Sequence, residues 1–225
     1  MSRGLFVVGT DTGVGKTFVA TALLRALDAA GKRAIGMKPV AAGIAPGATM
    51  NADVLALSDA SGLDAPQADL NPFGFEPAIA PHVAAARAGV VIDLETMAAA
   101  YERLAGQVDA VVVEGAGGVL VPLGPRIDML DVAVRLRIPV LLVVGVRLGC
   151  INHALLSALA INARGIALAG WVANHIDPAM EASDASVVAL AERLPAPCVA
   201  DIEFVPKGAP VPPLPRDALR ALGWG

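Results

Sequence analysis

Gly9-Thr10-Asp11-Thr12-Gly13-Val14-Gly15-Lys16-Thr17 constrains this chain more than any other stretch. It follows the short apolar run Leu5-Phe6-Val7-Val8 and leads into an amphipathic segment from Lys16 to about Ala30. A strand, a glycine-containing turn and Gly-Lys-Thr opening a helix form the context of a phosphate-binding loop. In such a loop successive backbone N–H groups curl around phosphates, and the helix N-terminus adds its positive dipole end. Lys16 then reaches the outer phosphates, and the Thr17 hydroxyl is left to ligate Mg²⁺. Five residues separate Gly9 from Gly15, where the usual spacing has four. The competing reading is a glycine-rich turn with Lys16 in solvent. A cation at a helix N-terminus is electrostatically unfavourable, so Lys16 calls for an anion and the phosphate reading is the stronger.

The surrounding sequence says what kind of body carries this loop. Its 225 residues suffice for one domain with a real core, and the 56% hydrophobic content is mostly Ala, Val and Leu. That composition suits a parallel sheet buried on both faces between helices. A net charge of −4 gives no reason to expect nucleic acid or an anionic membrane as partner. Cys150 and Cys198 are too few for a disulfide framework and lack metal-ligand spacing, so reduced thiols in a cytoplasmic protein are expected. The first apolar run stops at Gly9, too early for a secretory h-region, and Ile138–Val146 is too short to cross a bilayer.

Short β-branched runs alternate with stretches of helical spacing. The strand candidates are Leu5–Val8, Ala34–Val40, Ala110–Glu114, Val140–Val144, Ala167–Asn174 and Cys198–Ile202. The helix candidates are Lys16–Ala30, Ala52–Asp59, Leu94–Ala105, Met129–Leu136, Ile151–Arg164 and Met180–Leu194. This alternation implies right-handed βαβ units and an α/β, doubly wound, mainly parallel sheet with helices on both faces. Residues 1–225 are expected as a single unit, with Ala42–Ala48 and Leu63–Pro81 as Gly/Pro-rich loops. From about residue 205 the Pro-rich tail is expected to be irregular, with a short helix.

Ligands of such sheets sit beyond the carboxyl ends of the strands, so strand-end residues carry the chemistry. Lys38, at the end of the second strand, can stabilise charge on a transferred phosphoryl group; the alternative is a solvated lysine. Asp53 reads as a helix cap or as a carboxylate ligand for Mg²⁺, and its position favours the cap. Glu114 follows three valines and opens Glu114-Gly115-Ala116-Gly117-Gly118, the place where phosphate-loop enzymes hold a metal-binding acid. A buried carboxylate there needs a partner. Backbone N–H groups near Cys150-Ile151-Asn152 can receive an anion, while capping explains Asn152 and a surface position explains His153. Asn174 can read an adenine edge or close a turn.

Together these segments resemble the dethiobiotin synthetase family. The matching pieces include the loop at 9–17, Lys38-Pro39-Val40, Asn51-Ala52-Asp53, Asn71-Pro72-Phe73 and Pro81-His82. Glu114-Gly115-Ala116-Gly117-Gly118, Gly149-Cys150-Ile151-Asn152-His153-Ala154 and Gly170-Trp171-Val172-Ala173-Asn174 match as well. They occur in family order and cover most of the chain to about residue 205, with only the C-terminal tail dissimilar; the shifted first glycine is the family's own loop form. Two positions depart: Ala42 stands where the family often has Ser, and Gly13 where some members have Glu.

The resemblance implies a P-loop fold and a cyclo-ligase that makes dethiobiotin from 7,8-diaminopelargonate, bicarbonate-derived CO₂ and ATP, with Mg²⁺ as cofactor and ADP and phosphate released. It implies Lys38 as the catalytic lysine, with Lys16 and Thr12 beside the reacting groups, and Thr17, Asp53 and Glu114 around the metal. Gly13, Val14, Gly15, Lys16, Thr17 and Phe18 line the nucleotide, as do Glu114, Gly115, Ala116 and Gly117. Asn174 and His175, with Glu203, Phe204 and Val205 nearby, belong to the base; Thr12, Lys38, Ala42, Cys150, Ile151 and Asn152 belong to the substrate. It also implies a cytoplasmic homodimer without nucleic acid or membrane. The competing class is a nucleotide-driven dimerising switch of the partitioning or cell-division type. Those proteins carry a lysine early in the loop, where this chain has Asp11. An amidotransferase-coupled synthetase of cobalamin synthesis would need a glutaminase domain, and the chain is too short for one.

Overall fold

The computed structural model describes residues 3–206 and 208–224. Its main sheet has six parallel strands: β1 (Arg3–Gly9), β2 (Ala34–Met37), β5 (Ala110–Gly118), β6 (Val140–Val146), β7 (Leu168–His175) and β8 (Cys198–Ile202), in the order β2-β5-β1-β6-β7-β8. Two short strands, β3 (Val40–Ala42) and β4 (Phe73–Phe75), pair in parallel as a separate sheet. Between them run α1 (Lys16–Ala29), α2 (Ala52–Ser61), α3 (Gln67–Leu70), α4 (Pro81–Ala88), α5 (Leu94–Ala105), α6 (Met129–Leu136), α7 (Cys150–Ala163), α8 (Ser183–Ala191) and α9 (Arg216–Ala221).

The strands read as unbroken apolar runs because alternate residues feed two cores. On one face, Leu5 and Val7 of β1 join Val112, Leu141 and Val143, and α1 covers them with Leu23, Leu24 and Leu27. On the other, Phe6 and Val8 join Val111, Val113 and Leu142 beneath α5, α6 and α7. Leu23, Leu24 and Leu27 have no exposed surface, and each such burial stabilises the fold by about 1.5–3 kcal/mol. Gly36 in β2 marks a close helix approach: a Cβ there would stand 2.7 Å from Leu57 Cβ of α2. Among the described residues no helix is long and apolar enough to cross a membrane.

Two expectations fail between β2 and α4, for one reason. Ala34–Val40 is not a single strand. Pro39 has no N–H for the ladder. At the break the Lys38 N–H donates to the Leu70 carbonyl at 2.8 Å, and the Asn71 amide donates to the Lys38 carbonyl at 2.6 Å. Leu63–Pro81 is accordingly not a plain loop; α3 and β4 lie within it and supply those partners. A helix also starts at Pro81, in the first-turn position that proline favours, and ends on Gly89 at φ 66°. Among the described residues none between β8 and α9 lies in a helix or strand, and Leu214 N–H donates to the Ala22 carbonyl at 3.0 Å, so Leu214 lies against α1.

Strand order places the site. β1 and β5 are neighbours whose crossovers run in opposite directions, β1 leading out to β2 on one side and β5 leading back past β1 to β6 on the other. The crevice of an open α/β sheet forms where that reversal occurs, above the carboxyl ends. The carboxyl ends of β1, β2 and β5 meet there.

Candidate active site

The 9–17 loop turns on two left-handed glycines, Gly13 at φ 75° and Gly15 at φ 92°. Gly15 is fixed by a neighbour as well as by its backbone: a Cβ there would land on the amide nitrogen of Asn174. That nitrogen donates to the Val14 carbonyl at 2.9 Å, so Asn174 at the end of β7 holds the loop from above β6. Thr10 N–H anchors the loop to the Val143 carbonyl at 3.0 Å. Asp11 organises the tip: one carboxylate oxygen accepts from Thr12 N–H at 2.7 Å, and the other pairs with Arg147 at 2.5 Å. Lys16 Nζ donates to the Asp11 carbonyl at 2.9 Å.

Beside the loop lies a charged cluster built from three separate elements. Lys38 Nζ stands 2.5 Å from Glu114 Oε1 and 2.9 Å from Asp53 Oδ2. Thr17 Oγ1, in the first turn of α1, donates to the same Glu114 oxygen at 2.8 Å. Glu114 is 1% exposed, and its other oxygen, Oε2, has no protein partner. The β5 strand explains this burial: Glu114 pairs with Val7 of β1 and stays inside the ladder, which continues to Gly118 rather than turning after Glu114.

Asp53 corrects an expectation. The cap of α2 is Asn51, whose side chain accepts from Asp53 N–H at 2.9 Å. The Asn51 amide also donates to the carbonyls of Ala42 and Gly43, at 3.1 and 3.2 Å. With capping done by Asn51, the Asp53 carboxylate is free to reach Lys38. Ala42 lacks the hydroxyl of a serine, and its carbonyl is already taken.

Burial and charge pull against each other in this cluster. Burial pushes Lys16 down to about 8, with Lys38 adding to the effect and the nearby carboxylates opposing it. Lys38 is buried more deeply still, but Glu114 and Asp53 outweigh burial and hold its pKa above the ordinary lysine value. Burial likewise opposes charge on Asp53, and Lys38 outweighs it, keeping the carboxyl below its ordinary range. Two cations and two anions are thus packed at the mouth of one helix.

These groups border a cavity of about 670 Å³. Thr12, Gly13, Gly15, Lys16 and Thr17 form its floor, and Lys38, Ala42, Asp53, Glu114, Ala116 and Gly117 its sides. Ala78, Ile79, Ala80, Pro81 and Val121 complete its lining, and none of these stands among the residues expected at the site. Apart from the Pro81-His82 dipeptide, their only signal was a small, apolar, Pro-bounded composition.

Other expected residues lie elsewhere. Val14 is buried, Gly115 packs against Met129 and Phe6, and Phe18 joins the α1 core. None of the three lines this cavity. Cys150, Ile151 and Asn152 open α7 away from it. The cap of α7 is Gly149 at φ 92°, with no side-chain cap, so capping does not account for Asn152. Asn174 and His175 are each 7% exposed at the end of β7, and His175 Nε2 lies 2.9 Å from Asp201 Oδ1. Glu203, Phe204 and Val205 follow β8 on the same edge.

The chain as a whole has counterparts among known proteins. A family model described as an AAA domain matches residues 3–211. ATP-dependent dethiobiotin synthetase BioD of Aromatoleum aromaticum is 51% identical over 205 residues, covering 90% of this chain and 91% of its own. The protein of the same description from Pseudomonas aeruginosa is 49% identical over 223 residues, 98% of each chain. Among solved structures, the MinC:MinD cell division protein complex of Aquifex aeolicus aligns with a TM-score of 0.58 at 19% identity, over 98% of this chain and 86% of that one. That likeness shows the P-loop fold alone. Half-identity sustained from end to end leaves no room for a graft of one motif on a foreign body, and the chain belongs to the ATP-dependent dethiobiotin synthetase family.

Proposed function

We propose that this chain joins CO₂ to 7,8-diaminopelargonate and closes the ureido ring of dethiobiotin, with ATP converted to ADP and phosphate. One amine bonds to CO₂ and loses a proton, giving a carbamate. A carbamate oxygen then attacks the γ-phosphorus, and ADP leaves with the electrons of the broken P–O bond. The second amine attacks the carbonyl carbon of the resulting anhydride, loses its proton, and expels phosphate. Carbamate and γ-phosphate are both anionic, so the protein's task is to gather positive charge at their junction and hold the partners in line.

The observation that carries this reading is the convergence of two buried ammonium groups on one cavity, Lys16 from α1 and Lys38 from the end of β2. Lys16 and the loop N–H groups bind the outer phosphates; Lys38 faces the carbamate; Thr12, exposed at the loop tip, lies beside the amines. The Ala78–Pro81 wall offers an apolar path for the substrate's methylenes. Asn174 presents its carbonyl oxygen to the base while its amide nitrogen stays on the loop, with His175 and Glu203 to Val205 alongside. Thr17, Asp53 and Glu114 suit a divalent ion: all offer hard oxygens, and the unpartnered, buried Glu114 Oε2 is a ligand in waiting. Mg²⁺ held there supplies charge neutralisation across the phosphates.

The far carboxylate of the substrate needs a second anion site. The start of α7 offers uncapped N–H groups and its dipole, and Ile151 and Asn152 are its candidates. Because this segment does not line the cavity, it serves a second copy of the chain. Leu148 beside it is 90% exposed, and Leu156 and Leu159 on α7 are exposed as well, the apolar surface a homodimer would cover. A cytoplasmic setting accords with both cysteines being free thiols. The test is phosphate release from ATP with and without diaminopelargonate. Release is expected to depend on the diamine, and release that ignores it would sink the proposal.

A further inference from the structure

The Glu114–Asp53 pair has to serve two cations. One oxygen of each carboxylate is held by Lys38 Nζ, at 2.5 Å for Glu114 and 2.9 Å for Asp53. Thr17 donates its hydroxyl proton to the same Glu114 oxygen. Two of the three groups assigned to the divalent ion therefore already hold one ammonium, and the third is bonded to one of those two. Among the described residues no third His, Cys, Asp or Glu joins them to relieve the competition.

We infer that Lys38 and the divalent ion exclude one another from this carboxylate pair, so that seating the ion unseats the ammonium and turns Lys38 into the cavity. The inference rests on the ligand set proposed above. A doubly charged ion seated on the free Glu114 Oε2 would still share both carboxylates with the ammonium, which holds Glu114 Oε1 and Asp53 Oδ2, and at such range in a part-dehydrated site the two cations repel strongly. The ammonium is the one that can leave, because it rides on a flexible four-carbon stem. Its backbone cannot follow: Lys38 N–H and carbonyl are fixed by Leu70 and Asn71. Movement is thus confined to the side chain, which already borders the cavity. Lys16 is built differently. Its ammonium rests on the Asp11 carbonyl, which is no part of the ligand set, so the ion has no reason to displace it. The consequence is an order of events: Lys38 becomes available to the carbamate only after the ion has taken its carboxylates.

Acylation footprinting of the full chain reads this directly, with acetic anhydride as reagent, Mn²⁺ as the probe ion, no nucleotide, and peptide mass spectrometry. Saturating Mn²⁺ is expected to speed labelling of Lys38 about tenfold, in proportion to the released population, while Lys16 changes by less than about twofold. A flat Lys38 rate under bound Mn²⁺ overturns the inference. In parallel, Mn²⁺ affinity is measured by electron spin resonance on the wild-type chain and Lys38→Met. Removing the competing charge should tighten Mn²⁺ binding about tenfold or more. Equal Mn²⁺ affinity with flat labelling would leave the ligand set standing and remove the exclusion. Failure of both chains to bind Mn²⁺, even with ATP, would remove the ligand set and the inference together.

Discussion

Lys16 should lose its proton well before an ordinary lysine, and ATP should return it. Burial, reinforced by Lys38, brings the Lys16 pKa from 10.5 down to about 8. Phosphates on the loop carry the opposite charge and draw the value back toward the ordinary one. At about pH 9 a group with a pKa near 8 is roughly one-tenth protonated, whereas one restored to about 10.5 is almost fully so. ATP binding should then take up about 0.9 proton per site at that pH, and only about 0.1 at pH 7. The sign follows from which form holds more protons. The bound form does, so ATP affinity falls as pH rises through the window from about 8 to 10.5. Calorimetric titration with a non-hydrolysable ATP analogue, in two buffers of different ionisation enthalpy, counts the protons. Lys16→Arg keeps the charge at all these pH values and should abolish the uptake. Uptake near zero in the wild-type chain at about pH 9, or proton release, would show that Lys16 stays charged and that its desolvation is not what the packing implies.

Three further outcomes bear on separate parts of the site. Lys38→Ala should lower turnover by about 10²–10³ or more while ATP binding, measured by calorimetry, survives, because one cation leaves the transition state; near-normal turnover would take Lys38 out of the mechanism. Gly15→Ala should cost about 1–2 kcal/mol for its left-handed backbone alone, with more from the collision with Asn174. In a chain of this size that is a fall of about 2–8 °C in Tm, together with weaker ATP binding, and an unchanged melting curve would mean the loop is not set as described. Ile151→Asp should raise KM for diaminopelargonate and leave KM for ATP nearly unchanged; wild-type values for both in a folded variant would move the substrate carboxylate elsewhere.

The frame of this protein was open to reading because its strands are buried on both faces and its helices carry their own stops. Leu94–Ala105 and Met129–Leu136 have the bounds their patterns imply, each started by an aspartate cap at 93 and 128. The phosphate loop, Lys38 and Glu114 were equally open, since strand ends in a parallel sheet converge by geometry. Asp53 was not. From sequence its place at a helix start suggested a cap, and only the structure shows Asn51 doing that work two residues earlier. The small β3-β4 sheet and α3 escaped notice because three- and four-residue elements have too few positions to show a period, and the eight-residue α4, half of it alanine, offers little apolar contrast. Their apolar wall at Ala78–Pro81 escaped with them. Asn174 shows a different limit: its place at a strand end says that it faces the site, but nothing in the sequence says that its amide spans back to Val14.

The central claim is that the γ-phosphoryl group passes onto a carbamate oxygen. CO₂ enriched in ¹⁸O, supplied with ATP and diaminopelargonate and trapped before exchange with water, tests it in one turnover. Expulsion of phosphate from the carbamic–phosphoric anhydride takes the attacking oxygen with it. Mass spectrometry of the released phosphate should therefore find one ¹⁸O atom per dethiobiotin formed. Unlabelled phosphate beside labelled dethiobiotin would contradict the account.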